Sequence, residues 1–172
     1  PVVRDAGLRL GDWQVRSFSS PVDLSDVLVI DIDEDSLRDL QPLLGGWPYP
    51  RDVHARLTHA LRQQGAGIVV WNIVFADPRA GDAQLGEALS APGVAVMLAA
   101  SASRDHEPRD RPPPSGLSAA SQPLQAGQTA VPWSSFVLPV ESLLGAAGPS
   151  VAVGVVTVEL DPDGVLRRVP PW

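Results

Sequence analysis

The stretch Gly67-Ile68-Val69-Val70-Trp71-Asn72-Ile73-Val74-Phe75 decides the fold. It is apolar almost throughout, rich in β-branched residues and too short for an ordinary helix, so it reads as a strand over Ile68–Phe75. Just upstream, between Arg51 and Gln64, Val53, Leu57, Ala60 and Leu61 recur at i, i+4, i+7 and i+8, the core stripe of an amphipathic helix. Gly65 and Gly67 supply its stop. Downstream, Asp77 to Asp82 is a loop, and Asp82 to Ser90 is a helix with Leu85, Ala88 and Leu89 on one face. Pro92-Gly93 ends that helix and Val94 to Ala99 forms the next strand. Such alternation implies parallel strands joined by right-handed crossovers, with the helices packed on the sheet.

Further out, Val27 to Ile32 is a second continuous apolar run, predicted to be a strand buried on both faces. An acidic helix over Asp33–Leu40 and a loop from Leu44 to Pro50 link it to the helix at Arg51. A helix is expected over Arg4–Phe18, carrying Leu8, Leu10, Trp13, Val15 and Phe18. On the other side, Ser101 to Thr129, rich in Pro, Ser, Arg and Gly, is a long loop within one domain. A short helix over Pro139–Ala147 precedes alternation from Val151 to Leu160, the turn Asp161-Pro162-Asp163-Gly164 and a return over Val165–Val169, a β-hairpin pattern. The expected fold is therefore α/β, a three-layer-like mixed sheet with a parallel βαβαβ core plus a C-terminal antiparallel β-hairpin, in one domain over residues 1–172.

Composition excludes several functions. The net charge of −7 repels phosphate backbones, which argues against nucleic-acid partners. With no Cys, disulfides, thiolate metal sites and Cys nucleophiles are ruled out. No apolar run approaches the roughly 20 residues that span a bilayer. Because the chain opens on Pro1 and stops at Trp172, it reads as a segment of a longer protein. Walker, Gly-x-Gly-x-x-Gly, Gly-x-Ser-x-Gly and His-Glu-x-x-His motifs are absent, so the domain is not expected to be an enzyme and no cofactor is expected.

Several stretches together resemble the CHASE2 family. They are Val29-Ile30-Asp31-Ile32-Asp33-Glu34-Asp35-Ser36-Leu37, Trp47-Pro48-Tyr49-Pro50-Arg51 with His54-Ala55, Trp71-Asn72-Ile73-Val74-Phe75 with the helix Asp82–Leu89, and the closing Asp161-Pro162-Asp163-Gly164-Val165-Leu166-Arg167-Arg168. The resemblance covers about Leu10 to Pro171. It implies a sensor outside the bacterial cell membrane, periplasmic or extracellular, tethered through flanking membrane helices with residues 1–20 as a juxtamembrane lead-in. It further implies a cytoplasmic output such as a nucleotide cyclase, histidine kinase, diguanylate cyclase or Ser/Thr kinase. The implied partner is a small ligand or a periplasmic protein, and a homodimer is open. The sequence departs from the family at Asn72, where an Asp is usual, and by extra residues over Gln41–Gly45.

Parallel α/β sheets bind ligands beyond the carboxyl ends of their strands. Asp31, Asp33 and Asp35 leave the first predicted strand at that end and Asn72 and Asp77 lie on or just beyond the second, where Ser36, Trp47, Arg51 and His54 could join them. The candidate ligand-binding set is Asp31, Asp33, Ser36, Trp47, Arg51 and Asn72: carboxylates to neutralise a polar or cationic ligand, Trp47 to stack on it and Arg51 to orient it. No catalytic or metal residue is assigned. The same residues admit a structural reading, in which Asp33 or Asp35 caps a helix and Arg51 pairs with an Asp to hold the Trp-Pro loop. Two further alternatives stay open: an interaction module using the 101–129 loop, and a metal-dependent hydrolase built on Asp31, Asp33 and Asn72.

Overall fold

The structure is a computed structural model that describes residues 2–20, 23–103, 135–146, 151–158 and 163–166. The chain divides into two compact units, 1–39 and 40–172. In the first, the helix expected over Arg4–Phe18 forms as α1 (Val2–Phe18), with the rings of Trp13 and Phe18 edge-to-face at 6.1 Å. The acidic helix also forms, as α2 (Glu34–Leu44), running four residues beyond the predicted Leu40 despite Pro42.

The strand expected over Val27–Ile32 does not form. The run lies outside regular secondary structure, and Val27, Leu28, Val29 and Ile30 are exposed, Val29 to 81%. An apolar run becomes a buried strand only when a neighbouring ladder satisfies its backbone and other layers cover its side chains. Neither condition is encoded in the run itself, and the parallel core is built from other segments.

The second unit holds α3 (Arg51–Gln63), β1 (Ile68–Trp71), α4 (Asp82–Ser90), β2 (Ala95–Ser103), β3 (Ser135–Val137), α5 (Glu141–Ala146) and β4 (Val151–Val155). β2 is the centre of the sheet. β1 pairs with it in parallel from Ile68↔Ala95 to Trp71↔Leu98, and β4 does so from Val96↔Val151 to Ala100↔Val155. Farther along β2, β3 pairs antiparallel from Ser101↔Val137 to Ser103↔Ser135. The sheet is thus mixed, with a parallel core of β1, β2 and β4.

Strand bounds and pairing differ from expectation. β1 stops at Trp71 rather than Phe75, because the chain then turns to drive Phe75 fully into the core. β2 extends through Ser103 and so takes the first residues of the expected 101–129 loop; 104–129 lie outside the described residues. The alternating segment at Val151 pairs in parallel with β2, so the antiparallel hairpin is not confirmed. The Asp163-Gly164 turn is present, with Gly164 at φ 78°, but Val165 and Leu166 carry no strand and 167–169 lie outside the described residues.

The core occupies one face of the sheet. Val69, Trp71, Val96 and Leu98 point into it and meet Ala55 of α3, Leu85, Ala88 and Leu89 of α4, and Leu143 of α5. On the opposite face Ile68, Val70 and Met97 are exposed, and Ile68 and Met97 border a shallow apolar groove with Ala95 and Ala152. Within this unit the described helices pack on one face of the sheet. The run Ile68-Val69-Val70-Trp71 is apolar at every position, yet its burial alternates with the pleat.

Local punctuation fixes how the helices sit. At the end of α3 the Ala66 N–H donates to the Leu61 carbonyl (3.1 Å) and the Gly65 N–H to that of Arg62 (3.0 Å), with Gly65 at φ 88°. This is the Schellman stop that the Gly65 position forecast. Arg62 Nη2 donates to the carbonyls of Ala88 (2.8 Å) and Ala91 (3.1 Å), placing a cation on the negative end of α4.

Candidate functional site

The carboxyl end of β1 is where α3, α4 and α5 begin, and Arg51 is the residue that joins them. It is the first residue of α3, where the positive end of the helix dipole opposes a cation. A carboxylate answers that conflict: Arg51 Nε donates to Asp82 Oδ1 at 3.0 Å, and Nη2 donates to the Asp77 carbonyl at 2.9 Å. Both side chains are buried, at 4% and 12% exposure. Asp82 Oδ2 also accepts from the Arg79 N–H (3.0 Å) and the Ser142 hydroxyl (3.3 Å), so one carboxylate ties α3, the 77–79 loop, α4 and α5.

The guanidinium lies 4.5 Å from the centre of the Phe75 ring, a cation–π contact. Phe75 opens onto an aromatic box around His54. The imidazole meets Trp71 at 5.2 Å, Phe75 at 5.2 Å and Trp47 at 6.2 Å, all edge-to-face, and Trp47 in turn meets Tyr49 at 5.3 Å. A cis Trp47–Pro48 bond lies in this loop. His54 and Tyr49 are 2% and 3% exposed, while Trp47 is 44% exposed at the surface of the box. Among the described residues, Tyr49 Oη, His54 Nε2 and Trp71 Nε1 are buried without a hydrogen-bond partner. Burial holds the His54 pKa below its usual 6.5, and the neighbouring Arg51 cation lowers it further; a hydrogen bond with the Tyr49 carbonyl and the Asp52 charge oppose this in part.

Asp31, Asp33 and Ser36 belong to the first unit, and Trp47, Arg51 and Asn72 to the second. Asp33 Oδ1 accepts from the Ser36 N–H (2.8 Å) and hydroxyl (2.6 Å), capping α2, and these bonds hold its carboxyl below the usual carboxylate range. Asp31 and Asn72 are exposed. Trp47 and Arg51 border the aromatic box, and Arg51 has its Nε and Nη2 donors engaged inside the protein. No three of His, Asp and Glu come together as a metal-binding group among the described residues.

Sequence reasoning missed Asp82 as the partner of Arg51 and Tyr49, Trp71 and Phe75 as the walls around His54. The available signal was the arginine at the start of α3: a cation there needs a counter-charge, and Asp82 heads the next helix.

A mixed sheet covered on one face by helices, with a packed aromatic and ionic junction at its carboxyl end, defines an α/β module organised around a buried polar joint. A family model, that of the CHASE2 domain, matches residues 2–172, and the chain belongs to that family of extracellular sensory domains. No curated protein and no solved structure matches the chain.

Proposed function

We propose that this chain is the extracytoplasmic sensory module of a bacterial membrane receptor, which relays its state to a cytoplasmic output such as a nucleotide cyclase, a histidine kinase, a diguanylate cyclase or a Ser/Thr kinase. The observation that carries the reading is the CHASE2 match over residues 2–172. The α3–α4–α5 junction supports it physically. A single buried ion pair sets three helix starts at once, so a local change there moves several elements together. Signal entry falls to the half-exposed Trp47 and to Asn72 at the end of β1, whereas Arg51 and Asp33 serve structure.

Any stimulus must bind or favour one arrangement of the domain over another, since a ligand shifts an equilibrium only by its differential affinity. The test is made in the full gene product. Deleting residues 2–172 is expected to leave an output that no longer varies with the extracellular medium, while the wild type responds. An output that still follows external conditions after the deletion contradicts the reading.

A further inference from the structure

We infer that the junction around His54 is an acid-sensitive latch: protonation of the imidazole releases the Trp47–Tyr49 loop from α3 and β1. The inference rests on the sensory reading and names protons as a stimulus of that module.

His54 is 2% exposed, and among the described residues no group facing it offers a free carboxylate to pair with a buried imidazolium. From its own helix come Arg51, a like charge, and Asp52, which is exposed and pairs with Arg56 at 3.4 Å. The loop contributes the Tyr49 phenol and Trp47, and β1 contributes Trp71. Of the two acids of α4, Glu87 is exposed and Asp82 is already bound to Arg51 Nε, the Arg79 N–H and the Ser142 hydroxyl of α5. Asp77 supplies only its carbonyl, to Arg51, and Glu141 of α5 is exposed. An aromatic face could stabilise a cation, but that of Phe75 already carries Arg51.

Neutral His54 fits this box; charged His54 must reach water. The exposed ring over the box is Trp47, so release of the 45–50 loop is the short route to solvent. The depressed pKa agrees in direction: opening takes up a proton that the closed state refuses.

Amide hydrogen exchange on the chain from about pH 8 to about pH 5, corrected for intrinsic rates, tests this. Protection of the amides at 45–54 is expected to fall by about tenfold per pH unit below the ordinary histidine range, ahead of the β2 amides, and His54→Gln is expected to abolish the fall. Loss of protection spread evenly over the domain, or persisting in a folded His54→Gln chain, overturns the latch. Should His54→Gln fail to fold, NMR titration of the wild type decides: His54 must titrate below the ordinary histidine value of 6.5, with the Trp47 and Tyr49 resonances shifting in the same step, and a value equal or higher overturns it. None of these readouts depends on the topology or output of the receptor, so failure of the latch and failure of the sensory reading are seen separately.

Discussion

Arg51 shows how a residue of one apparent role is used for another. Its place beside Trp47 suggests a ligand clamp, yet its partner is a carboxylate 31 residues away, in a pair almost wholly removed from water. Removing one member leaves the other charged and buried, so Arg51→Ala and Asp82→Ala should each cost about 3–5 kcal/mol. Urea midpoints at constant slope measure this. The double change Arg51→Met with Asp82→Leu should recover much of the loss, because a well-packed apolar pair avoids the desolvation cost. His54 supplies a second expectation. Its folded pKa is depressed, so the unfolded chain binds the proton first; its contribution to stability is present above about pH 6.5 and is lost as pH falls. The slope is at most about 1.4 kcal/mol per pH unit for one proton. Melting temperatures across that window should fall more steeply for the wild type than for His54→Gln.

At the scale of elements, the segment from α3 to β2 was legible because its signals are local. The apolar stripe of α3, the Gly65 stop and the Pro92-Gly93 break each act over a few residues, and all form near their expected positions. Strand partnership is not local. Val27–Ile32 and Val151–Val155 carry similar apolar composition, yet only the second pairs with β2. The candidate site was half legible for the same reason: Trp47 and Arg51 were found on sequence pattern, whereas Asp82, Trp71 and Phe75 join them only through the packing of the sheet and helices. Gly81 offers a test of that packing. It precedes α4 at φ 91°, and a Cβ there would stand 2.9 Å from the Asp52 nitrogen and 3.0 Å from Arg51 Cβ. Gly81→Ala should therefore cost about 1–3 kcal/mol from backbone strain, with the clash adding to it, and should lower the melting temperature more than Gly93→Ala, which meets nothing within 4 Å.

At the scale of the molecule, stability comes from a one-sided core whose centre is Leu98 on β2, fully buried among residues of the sheet and its helices. Leu98→Ala should cost about 2–5 kcal/mol in chemical denaturation. Met97→Ala, next to it but on the open face and 40% exposed, should cost much less. That contrast tests whether the core lies on the side assigned to it. The central claim is about location and role: a CHASE2 domain senses conditions outside the cell. The chain has no cysteine, so one introduced at the exposed Gln63 is a clean label site. With the full gene product in spheroplasts, a membrane-impermeant maleimide should label Gln63→Cys before lysis and leave the wild-type domain unlabelled. Labelling of Gln63→Cys only after the membrane is broken would place the domain in the cytoplasm and contradict the account.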